Sequence, residues 1–200
     1  MADTKERILT TALQLFSREG YEAVSMRMIA DALGITKGAL YKHYESKRDI
    51  FDHIVTRMRQ ADAQRAQEYA VPEGTLAEMA DAYRHTSFAH IQAFSEAQFR
   101  YWTEEPFPAQ FRKLLTLEQY RSAEMAALYQ QYLAAGPLQY MTDLFGEMTD
   151  SAEDAGMLAL SFYAPMFMLY SLYDGAEDKD TVFALLHTHI VRFAKERSFL

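Results

Sequence analysis

At 200 residues, with a formal charge of −8 and half of its residues apolar, the chain suits one domain, or a small domain joined to a medium one, and a real core, which excludes a disordered polypeptide. It has no cysteine, so disulfides, thiolate zinc sites and cysteine nucleophiles are excluded. Charge is uneven: residues 1–60 hold ten Lys/Arg against eight Asp/Glu, a local +2, and residues 61–200 the remaining ten against twenty, a local −10. A modestly basic head can thus meet a polyanion that the acidic body repels.

Glycine and proline are sparse and no alternating strand pattern persists, so an all-α protein is expected. The opening MADTKERILT lacks the apolar run of a signal peptide, and the absence of cysteine fits a reducing cytoplasm, so a cytoplasmic protein is expected. A first helix is marked by Asp3 as cap, Glu6 as its capping-box partner, and Ile8, Ala12, Leu15 and Phe16 at helical spacing before Gly20. Ser25 can cap a short second helix containing Met28, Ile29, Ala32 and Leu33; Gly34 ends it, and Thr36 can cap a third. A fourth opens at Ser46, with Asp49 in its first turn, and runs through Phe51, Ile54, Val55 and Met58 toward Tyr69. VPEG, residues 71–74, breaks the chain before a Thr75/Glu78 capping box. Later breaks are expected at EEPFP (104–108), at 121–122, at AAGP (134–137), at EMTDS (147–151) and at DGAEDKD (174–180).

Residues 155–173, AGMLALSFYAPMFMLYSLY, carry no charge and are long enough to span a bilayer. Pro165 in the middle, acidic flanks on both sides and the lack of a second such segment argue against a membrane. A helix apolar all round must still be buried, here on its own subunit along one face and on a partner along the other.

The stretch SMRMIADALGITKGALYKHY, residues 25–44, has helix-turn-helix spacing. The second helix of such a pair enters a major groove about 12 Å wide, so its exposed residues must be small, polar or basic. Thr36, Lys37, Gly38 and Ala39 meet that requirement. Gly38 costs a helix about 1 kcal/mol against alanine, which suggests that something outside the protein comes close there. Tyr41, Lys42, His43 and Tyr44 can reach flanking phosphates, and Lys47 sets another cation beside them. Tyr44 and Phe51 fit better as core aromatics, and His53 as a solvated helix residue.

Residues 7 to about 54 resemble the DNA-binding head of the TetR family of bacterial transcriptional regulators. The resemblance rests on Ala12, Phe16, Gly20 and Tyr21, on IADALGITKGALYKHY and on SKRDIF. It implies a three-helix head in residues 1–50 and a helical ligand-sensing and dimerisation body in residues 51–200. It implies a homodimer with a four-helix interface built from residues 155–173 and 181–195 of each subunit, a palindromic double-stranded DNA operator and, most often, repression. By the same resemblance Ser25, Arg27, Thr36, Lys37, Gly38, Ala39, Tyr41, His43 and Lys47 occupy DNA-contact positions: Arg27, Thr36, Lys37 and Ala39 toward base edges, Tyr41, His43 and Lys47 toward phosphate. Lys42 departs from the pattern by carrying charge where an uncharged residue is common, and joins the candidate contacts.

The body repeats aromatics at helical spacing: Phe88, Phe94, Phe99, Trp102, Phe107 and Phe111, then Tyr129, then Tyr163 and Tyr170. A packed core explains them. With the adaptable Met125 and Met166 they also fit the wall of a pocket for a small lipophilic or aromatic effector. A protein partner docking on the aromatic surface is the alternative controller. His85 and His90 are five apart and His187 and His189 two apart, whereas ligation from one helix usually needs three or four, so no metal or cofactor is expected. No phosphate loop, dinucleotide fingerprint or nucleophile–base spacing points to an enzyme.

Overall fold

The computed structural model describes residues 2–69, 72–148 and 152–196, and every regular element among them is an α-helix. In chain order these are α1 (Ala2–Glu19), α2 (Met26–Leu33), α3 (Lys37–Tyr41), α4 (Lys47–Glu68), α5 (Leu76–Arg84), α6 (Phe88–Thr103), α7 (Pro106–Glu118), α8 (Ala123–Leu133), α9 (Ala135–Gly146), α10 (Ala152–Gly175) and α11 (Lys179–Glu196). The chain divides into two compact units, Met1–Glu68 with Pro106–Tyr129, and Tyr69–Glu105 with Gln130–Leu200.

Capping chemistry sets most helix starts. Ser25 Oγ accepts the Met28 N–H at 3.3 Å, and Thr36 Oγ1 accepts the Ala39 N–H at 3.1 Å. Ser46 Oγ accepts the Asp49 N–H at 3.0 Å, while the Asp49 carboxylate reaches back to the Glu45 N–H at 2.9 Å. Thr75 and Glu78 form the expected capping box, and Gly34 closes α2 at φ +67°, a left-handed conformation that glycine adopts without steric cost. The first helix departs from expectation: it begins at Ala2, so Asp3 lies inside it, and Glu6 pairs with Arg57 of α4 at 2.6 Å. The helices break near EEPFP, residues 121–122, AAGP and DGAEDKD as expected. In EMTDS, residues 149–151 lie outside the described residues, between the end of α9 and the start of α10. A further break at residues 85–87 has a local cause, Ser87 Oγ accepting the His90 N–H at the start of α6.

In the first unit α1 packs against α2, α4 and α7, and α2 against α3. Ile8, Phe16, Ile29, Leu40, Ile50 and Ile54 are fully buried, as are the expected core aromatics Tyr44 and Phe51. Removing side chains of this size from water stabilises the fold by about 1.5–3 kcal/mol each. The inward position on α1 falls to Leu13, while Leu15 is half-buried.

In the second unit α10 packs on α9, α11 and α6, and α5 on α9. Asp154–Gly175 is long and apolar enough to cross a membrane by length and composition. Ala155, Ala159, Tyr163, Met166 and Tyr170 are nevertheless buried within the protein, and Met157, Leu160, Met168 and Leu172 are exposed. Pro165 lies inside this helix, and near it His189 Nε2 of α11 is 2.8 Å from the Phe162 carbonyl oxygen.

Candidate nucleic-acid interface

The α2–turn–α3 unit presents most of the residues expected at DNA. Arg27 extends from α2 with 82% of its side chain exposed and only a 3.6 Å i,i+4 pairing to Asp31. Such a surface pair is weak enough to exchange for a nucleic-acid acceptor. Ser25 and Thr36 each spend a lone pair on a helix cap, which leaves the hydroxyl hydrogen free to donate outward. On α3 the Lys37 ammonium lies 5.5 Å from the centroid of the Tyr41 ring, so a cation and a phenol stand together on an exposed helix face. Lys42 is also exposed, and Ala39 and His43 are partly so.

Gly38 is open: a Cβ built there meets nothing within 4 Å. No neighbour inside the described protein requires a glycine at that point, and its helix would be steadier with alanine.

Lys47 behaves differently. Its side chain is 21% exposed, its ammonium donates to the Tyr21 carbonyl at 2.8 Å and the Glu22 carbonyl at 3.4 Å, and it lies 4.3 Å from the Tyr21 ring centroid. It therefore ties the turn before α2 to the start of α4. Arg48, in the same basic stretch, is also engaged: it forms two hydrogen bonds to the Glu124 carboxylate at 2.5 and 2.7 Å and one to Asp52 at 2.8 Å. Burial raises the phenol pKa of both Tyr21 and Tyr44, so these rings stay neutral through the physiological range. The sequence pattern missed Glu118, a buried carboxylate of α7 bonded to the Tyr21 N–H. No local periodicity distinguishes it from a solvated acid.

The aromatic residues considered for an effector pocket divide between the units. Phe107, Phe111, Met125 and Tyr129 belong to the first, where the Arg57 guanidinium lies 3.6 Å over the Phe107 ring. Phe88, Phe94, Phe99, Trp102, Tyr163, Met166 and Tyr170 belong to the second. There Phe99 stacks on Tyr170 at 5.2 Å, Phe94 meets Tyr69 at 5.6 Å, and Tyr163 donates to the Leu133 carbonyl at 2.7 Å. A groove of about 420 Å³ lies elsewhere in this unit, between α10 and α11, lined in part by Pro165, Leu185, His189 and Phe193.

A capped short helix, a left-handed glycine turn and a second short helix with an exposed basic–aromatic face define a helix-turn-helix DNA-binding head. Residues 8–54 match the family described as bacterial regulatory proteins, tetR family. These residues are similar to the head of that family. Over 52 residues it is 44% identical to the HTH-type transcriptional regulator AcrR of Shigella flexneri, covering 26% of this chain and 24% of that protein. Over 58 residues it is 43% identical to the HTH-type transcriptional repressor BepR of Brucella suis biovar 1, covering 29% and 28%. The chain thus spans about a quarter of the length of these curated relatives. The fold is shared much further: SmeT, in its complex with triclosan, superposes with a TM-score of 0.61 at 16% identity over 97% of this chain and 91% of that one.

Proposed function

We propose that the protein is a homodimeric, ligand-responsive transcriptional repressor of the cytoplasm that binds a palindromic DNA operator. Residues 1–50 read DNA, and residues 51–200 sense and dimerise. The observation that carries this reading is the exposed face of α2 and α3, where Arg27, Lys37 and Tyr41 project beside an unobstructed Gly38. Arg27, Thr36, Lys37 and Ala39 face base edges; Ser25, Tyr41, Lys42 and His43 face phosphate. Lys47 serves the same surface by holding the turn that precedes α2, with its residual exposure directed to phosphate.

Two heads docking on half-sites about 34–36 Å apart, or in a related geometry, require a symmetric dimer, and the open apolar faces of α10 and α11 support that assembly. A small lipophilic or aromatic effector binding the aromatic-rich body shifts the dimer toward a head separation that misfits the operator. A coupling of about 1–3 kcal/mol changes occupancy several-fold or more. The triclosan bound by SmeT supports this class of effector.

The test is selection of bound duplexes from a random pool at near-physiological salt, followed by affinity measurement on the recovered palindrome. Lys37→Ala and Tyr41→Ala should each weaken that binding at least tenfold without changing the dimer mass. A flat selection by folded dimer would sink the reading.

A further inference from the structure

A buried carboxylate lies outside the surface proposed above to read DNA, and the role assigned to it here rests on that DNA-binding function. Glu118, the last residue of α7, is 2% exposed although it belongs to none of the three head helices. Its Oε1 accepts the backbone N–H of Tyr21 at 3.2 Å and a guanidinium N–H of Arg121 at 3.1 Å. Gly20 makes room for it. At φ +89° this residue is in the left-handed region, and a Cβ there would sit 2.7 Å from Glu118 Oε1 and 2.9 Å from Arg121 Nη1.

The other side of the same residue is held by α4. Lys47 donates to the Tyr21 carbonyl at 2.8 Å, and the Tyr21 ring packs on Phe16 and Phe51 at 5.1 and 5.4 Å. The peptide groups of Tyr21 are therefore gripped from α7 through the N–H and from α4 through the carbonyl. Four residues later Ser25 opens α2, so this grip sets where the helix-turn-helix begins. Two further polar links run to Pro106–Tyr129, from Ser17 to Gln110 and from Arg48 to Glu124.

We infer that Glu118 is a positioning residue for operator recognition: through the Tyr21 N–H it fixes the α1–α2 turn and hence the aim of α2 and α3 at base edges. Base readout depends on side-chain placement within about 0.5 Å, whereas non-specific phosphate binding tolerates misalignment. A positioning role and a merely structural one therefore differ in the ratio of specific to non-specific affinity.

The experiment compares wild type, Glu118→Gln, Glu118→Ala and Glu118→Asp as full-length dimers on the selected operator and on a scrambled duplex. It is run across a salt series and well below each variant's melting temperature. Gln keeps an oxygen acceptor for the Tyr21 N–H and should stay within about threefold of wild type. Ala removes the acceptor and Asp withdraws it by one methylene. Both should lose at least tenfold on the operator, keep scrambled-duplex affinity within about twofold, and leave the salt slope unchanged because no phosphate contact is lost. Asp preserves the charge and loses only one methylene, which keeps the test usable where Ala does not fold. An unchanged affinity ratio in folded Ala or Asp overturns the inference, as does a parallel loss on both duplexes. A wild-type protein with no operator preference defeats instead the DNA-reading function on which this rests.

Discussion

The two units solve the burial problem differently. Among the described residues, the largest fully buried side chains include Phe16, Tyr44, Phe51, Phe111 and Ile54 in the first unit, while Phe99 alone stands for the second. The second unit instead leaves Met157, Leu160, Met168, Leu172 and Leu185 open on α10 and α11. A reading head must hold its surface rigid by itself, and the first unit closes its own core. The second exposes apolar area of the kind that marks an interaction face, the face that the proposed homodimer would use.

The open apolar face of α10 is the most sensitive to added charge. Leu172→Glu combined with Met168→Lys should convert the dimer to a monomer in sedimentation and reduce operator affinity at least a hundredfold, because two half-sites are no longer engaged together. A variant that stays dimeric removes α10 from the interface. Next in size is the closed core. Ile54 is fully buried, so Ile54→Ala should cost about 2–5 kcal/mol in denaturant unfolding through lost transfer energy and a residual cavity. An equal truncation at the half-exposed Leu172 should cost much less to an isolated subunit.

Gly38→Ala separates stability from recognition. With no atom within 4 Å of the added methyl, the head should gain up to about 1 kcal/mol in stability while operator affinity falls. A gain in both would show that nothing approaches the backbone there. Smaller still is Arg48→Ala. Its ion pairs to Glu124 and Asp52 are roughly half exposed, so the loss should stay within about 1 kcal/mol despite their short distances.

Much of the head was legible because its signals are local. Hydroxyl caps at Ser25 and Thr36, the glycine at 34 and the apolar spacing of α4 each act within a few residues, and each forms as read. What was not legible depends on distant partners. Lys47 reads in the sequence as a cation beside the head, and only the fold shows that the Tyr21 carbonyl engages it, as the Glu124 carboxylate engages the half-exposed Arg48. The acid of Glu118 and the role of Gly20 as the space it occupies require α7 to lie on α1. The aromatic candidates of the body share a period, and the period alone could not show that they divide between two compact units.

The two units also differ in how their helix caps respond to acid. Hydrogen bonds from the backbone N–H and hydroxyl of Thr75 hold Glu78 below the usual carboxylate pKa, and those from the hydroxyl and N–H of Thr181 do the same for Asp178 at the start of α11. A carboxylate whose folded pKa is depressed contributes stability that is present above its unfolded value, about 4, and is lost as pH falls through the folded value. The caps of α2 and α3 are hydroxyls and do not titrate in this range. Below about pH 4 the first turns of α5 and α11 should therefore loosen while those of α2 and α3 hold, a difference that amide chemical shifts would resolve. Glu78→Gln and Asp178→Asn should remove the pH dependence at their own helix starts only. Loss of all four helix starts at one pH would mean that acid acts on the fold as a whole, not through these caps.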